Sequence, residues 1–192
     1  MAWRLRQLLL VASTMWFSWL AMMLVHEAGH VLGAVCTGGA VREVVWHPTV
    51  ISRTDVEPNP HPLVEVSAGP LIGSLIPLAL AIAARLISWR MNYLLWGVAG
   101  FCLIANGVYI GLGALHPVGD AKKLLALGTP PWLMAILGTA TAVGGFWIWH
   151  RVSVSFGFGR VRSPISGRQV VMTFVAATLL TALGFVFGNP GM

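Results

Sequence analysis

Five stretches of roughly twenty apolar residues, nearly free of charge, run through this chain, and each is long enough to cross the hydrocarbon core of a bilayer. They cover residues 8–35, 68–88, 93–115, 131–148 and 170–188. In lipid the backbone must satisfy its own hydrogen bonds, which leaves helices or closed barrels. Apolar windows of this length predict an all-α polytopic membrane protein with five transmembrane helices. Composition excludes the main alternatives: 57% of the 192 residues are hydrophobic and only 9% charged, against about 25% charged in soluble domains. A soluble enzyme, a disordered chain and a coiled coil are all ruled out. Most tryptophans, among them Trp3, Trp89, Trp132, Trp147 and Trp149, lie near the ends of the stretches, as an interfacial aromatic belt requires. The third stretch carries Gly107, Gly111 and Gly113, and partial unwinding is expected there, while Gly29/Gly33, Gly69/Gly73 and Gly107/Gly111 are small-xxx-small pairs that let helices approach closely.

Two polar segments separate the spans. In the insert 37–67, Val41, Val44, Val45, Val50 and Ile51 suggest a small β-hairpin between the first two helices, ahead of a Pro-rich run. The loop 150–168 is rich in Gly, Ser and Arg and reads as a flexible connection. Arg4 and Arg6 resemble a signal-peptide start, but the apolar stretch runs past the usual length and no A-x-A site follows, so a retained helix is expected. The net charge of +6 comes from basic residues at the ends of the apolar stretches. That pattern belongs to topology signals and lipid headgroups and not to nucleic-acid binding. An N-inside arrangement places eight arginines inside against four basic residues outside. Two cysteines, Cys36 and Cys102, make no disulfide framework.

The chemistry sits at the end of the first span, where His26-Glu27-Ala28-Gly29-His30 forms an H-E-x-x-H motif. Positions i and i+4 of a helix share a face, so two imidazoles can grip one Zn²⁺ while Glu27 reaches a water beside it. This composition would produce such a motif by chance about 0.004 times. A hydrolytic zinc site takes three protein ligands and leaves a position open. The second span carries the chain away from the histidines and the third returns it, which favours Asp120 as third ligand over the acids of the insert. His116, four residues earlier, is the rival.

His26-Glu27-Ala28-Gly29-His30, Ala68-Gly69-Pro70 and Pro117-Val118-Gly119-Asp120 resemble the site-2-protease family of intramembrane zinc metalloproteases over about residues 8–127. The resemblance implies His26, His30 and Asp120 as zinc ligands and Glu27 as general base. It departs from the family pattern where Ala121 follows Asp120 and Leu112 stands in place of an upstream Asn, the nearest being Asn106. The expected organisation is a metalloprotease core at 1–127 and two further spans with a basic loop at 128–192. The expected activity is zinc-dependent cleavage of membrane-protein or peptide substrates in or near the bilayer. Asn106, Val44 and Val45 are the expected substrate contacts, the valines through β-addition of an extended segment. The expected setting is the inner membrane of a prokaryote, with homo-oligomerisation left open; the family's placement of the site near the cytoplasm opposes the arginine count. The competing readings are a divalent-metal-binding or transport protein, and a non-catalytic scaffold with the same fold.

Overall fold

The computed structural model describes residues 2–159 and 164–188. Its order is α1 (Ala2–Cys36), β1 (Val41–Val45), β2 (Arg53–Val56), α2 (Pro62–Leu86), α3 (Asn92–Gly113), α4 (Gly119–Ala126), α5 (Pro131–Val152), a 3₁₀ turn (Ser153–Phe156) and α6 (Gly167–Phe187). The five helices other than α4 are each long and apolar enough to span a membrane. The spans coincide with the five apolar stretches. α1 begins six residues before the expected start and α2 begins at Pro62, whose missing N–H costs nothing at a helix N-terminus. At 35 residues α1 is about 50 Å long, so its ends reach beyond the hydrocarbon core.

The expected unwinding of the third span does not occur: α3 is one continuous helix through Gly113. Its glycines serve close packing instead. A Cβ on Gly107 would lie 2.6 Å from Ala142 N and Gly138 O, and one on Gly138 would collide with Gly111 N. Without side chains at these positions the α3 and α5 backbones meet directly, which is how membrane helices associate without a hydrophobic drive between them. Gly29 and Gly33 of α1 meet Ala68 and Gly69 of α2 in the same way.

The insert forms the expected hairpin, with Glu43, Val44 and Val45 opposite Asp55, Thr54 and Arg53, but Val50 and the exposed Ile51 fall in its turn and the second strand begins at Arg53. Strand alternation turns Thr54 inward and leaves Arg53 and Asp55 exposed. Its turn leans on the last helix: the His47 ring packs edge-on to Phe185 at 4.6 Å, and Pro48 lies where a Cβ on Gly184 would sit. α6 therefore props the hairpin from outside the first three spans.

The described parts of the 150–168 connection, residues 150–159 and 164–168, pack against the bundle. Phe156 and Ile165 are buried with Leu10, Leu94 and Val170, because two large apolar side chains in a short link find a pocket between helix ends. Residues 160–163 of that connection lie outside the described residues.

Candidate metal centre

Four helices, α1 to α4, and the hairpin meet at one end of the bundle. His26 and His30 lie one turn apart on α1, with ring centroids 4.9 Å apart. α4 delivers the third group: Ala121 and Leu124 are buried against Val66 and Met134, which turns Asp120 toward the histidines. Gly119, at φ +50°, makes the bend that starts this helix, and a side chain there would strike the Tyr109 hydroxyl. That hydroxyl oxygen accepts the Asp120 N–H at 2.8 Å, so no side-chain cap is needed and the carboxylate is free.

His26 Nε2, His30 Nε2 and Asp120 Oδ2 form a triangle with sides of 3.0, 3.1 and 3.2 Å. The outer nitrogens are already engaged. His26 Nδ1–H donates to Asn106 Oδ1 at 2.8 Å, and Asn106 Nδ2 donates to the Cys102 carbonyl, which fixes the amide's orientation. His30 Nδ1–H donates to the Glu65 main-chain oxygen at 3.0 Å, with the Glu65 carboxylate equally close. Neutral imidazoles arranged this way carry their only protons on the outside. Three lone pairs then face one another in a buried space, an arrangement that repels unless a cation lies between them. A tetrahedral Zn²⁺ with bonds of about 2.0–2.1 Å holds its ligand atoms roughly 3.3 Å apart. The triangle matches that spacing, and the donor set of two imidazoles and a carboxylate suits zinc.

Glu27 is buried and stands outside the triangle. Its Oε2 accepts from the Thr54 hydroxyl at 2.7 Å, so β2 fixes the carboxylate that α1 presents. A buried carboxylate without such a donor would be costly. Gly69 completes the arrangement, because a Cβ there would overlap the His30 ring.

Of the residues singled out from sequence, His26, Glu27, His30, Asp120 and Asn106 come together. His116 is exposed and stands outside the one three-residue metal-ligating cluster among the described residues. Asn106 gives its amide oxygen to His26. Val45 is fully buried, and Val44 is half-buried opposite Thr54. Thr54, Tyr109 and the Glu65 contact with His30 were not foreseen; nothing local in the sequence marks them, since each acts across a long sequence gap. The partners of ligating histidines tune metal binding, so Asn106→Ala is expected to weaken zinc affinity about 10–100-fold with the fold intact, as measured by competition with a chromogenic chelator.

Comparison with known proteins gives one family: the model described as Peptidase M50B-like, the site-2-protease family, matches residues 3–113, more than half of the chain. No curated protein and no solved structure matches the chain. The matched segment contains His26, Glu27, His30 and Asn106 but ends before Asp120, whose assignment rests on the geometry above.

Proposed function

We propose that this chain, which belongs to the Peptidase M50B-like family of membrane metalloproteases, is a zinc-dependent endopeptidase that cleaves membrane-protein substrates within or near the bilayer. The observation that carries the reading is the convergence of three lone pairs beside a buried, anchored carboxylate. His26, His30 and Asp120 would hold the ion. Zinc bound there supplies Lewis acidity toward a carbonyl and makes a neighbouring water more acidic. Glu27 acts as general base: its carboxylate takes a proton from the attacking water and passes it to the departing amine nitrogen. Thr54 holds one oxygen of Glu27, leaving Oε1 to face the reacting atoms. Asn106 and Glu65 keep the imidazole protons outward.

A substrate helix hides its amides in hydrogen bonds and must be extended before attack. The hairpin beside Glu27 pairs only with itself among the described residues, so outer strand edges remain for an extended segment. Val44 is the position through which that pairing would be felt, and the setting proposed is the inner membrane of a prokaryote.

A metal transporter needs ionisable groups along a path. Among the described residues the buried acids and histidines, His26, Glu27, His30, Glu65 and Asp120, all gather at one end of the bundle, which favours a fixed site. The test is cleavage of a helical membrane peptide by the protein in proteoliposomes. Activity removed by a chelator and restored by zinc is expected. Metal bound at full occupancy with no cleavage across a panel of such peptides would favour the scaffold reading.

A further inference from the structure

All six acidic residues, Glu27, Glu43, Asp55, Glu57, Glu65 and Asp120, lie at the metal end of the bundle or in the insert there. The opposite end, where α1 starts, α2 and α5 finish and α3 and α6 begin, carries Arg4, Arg6, Arg85, Arg90, Arg151 and Arg168 and no acid. A uniformly cationic rim of this kind attracts anionic headgroups.

A pocket of about 430 Å³ opens at the same end, within the size range of small-molecule sites. α3 packs against both α1 and α5, which make no comparable contact with each other, and the pocket fills the gap between them. Its walls are apolar, with Met15, Phe146 and Trp149 among them, while His150 and Ser153 supply polar groups where α5 ends. Arg151 is exposed beside them, its guanidinium 5.1 Å over the Trp147 ring. Inside, the Thr14 hydroxyl is buried and has no hydrogen-bond partner, whereas Ser13 and Ser18 on the same helix bond back to main-chain carbonyls. Thr14 lies level with Gly97, five residues into α3 and so about 7.5 Å below the helix start. A buried donor left open in an otherwise apolar pocket asks for an acceptor from a ligand.

We propose that this pocket binds one anionic phospholipid, with an acyl chain between α1 and α5, an ester oxygen at the Thr14 hydroxyl and the phosphate at Arg151 and His150. Apolar walls and an open donor beneath a cationic rim supply what a phospholipid's chain, ester and phosphate each require. The bound lipid joins two helices that the protein leaves apart and acts independently of the metal centre.

The test uses the full chain in nanodiscs of equal parts phosphatidylglycerol and phosphatidylcholine, released into native mass spectrometry. One retained phosphatidylglycerol per chain is expected, in clear preference to phosphatidylcholine. Arg151→Gln is expected to lower its retention about five-fold, and Thr14→Phe to abolish it, with helix and metal content unchanged in both. Equal retention of the two lipids, no retained lipid, or wild-type retention in Arg151→Gln would overturn the proposal. If Thr14→Phe fails to fold, the exposed Arg151 position decides alone.

Discussion

Glu27→Gln is expected to leave zinc in place and lower the rate of peptide hydrolysis by about 10²–10⁴-fold, the range associated with a lost general base. The substitution keeps the size of the side chain and an oxygen that can accept from Thr54 at the same position. What it removes is the ability to take a proton. Metal content therefore separates this variant from one that has lost the site, and a kcat near that of the wild type at full metal occupancy would remove Glu27 from the reaction. A metal carrier would tolerate the change, because Glu27 is not among the three groups that converge.

Gly69→Ala is expected to do the opposite and fail through the metal. The added methyl would occupy the space of the His30 imidazole, so either the ring leaves its position or α2 withdraws from α1. Loss of one ligand from three should weaken zinc by more than about 100-fold, beyond the effect of a partner residue, and activity should disappear with the metal. Gly144→Ala is the matching control, since nothing lies within 4 Å of its added methyl. Circular dichroism and chelator competition on the two variants side by side check the expectation. Normal zinc affinity in Gly69→Ala would show that His30 is not held where the structure has it.

The spans are legible because uncharged runs of this length have few alternatives in lipid, and the pairing of His26 with His30 because helical spacing alone puts one beside the other. Asp120 could be read from parity: two crossings after α1 return the chain to the same side. The small-xxx-small spacing of Gly107 and Gly111 signals the close approach that α3 makes to Gly138 of α5, while the unwinding also expected there is absent because that packing holds the helix continuous. In the 150–168 link polar composition hides Phe156 and Ile165, whose burial depends on a pocket built by α1, α3 and α6. Thr54 reaches Glu27 across 27 residues and Asn106 reaches His26 across 80, so neither pairing leaves a local pattern. The insert shows strand propensity, but that its Thr54 face meets Glu27 while its turn rests on α6 depends on contacts distant in sequence.

The central claim is that His26, His30 and Asp120 hold one zinc ion. Elemental analysis of the purified protein in detergent tests it most directly, with wild type beside His26→Ala, Asp120→Ala, His116→Ala and Glu27→Gln. The expected result is about one zinc per chain in the wild type, His116→Ala and Glu27→Gln, a strong reduction in Asp120→Ala and loss in His26→Ala. Zinc retained in Asp120→Ala but lost in His116→Ala, or no metal in freshly prepared wild type, would contradict it.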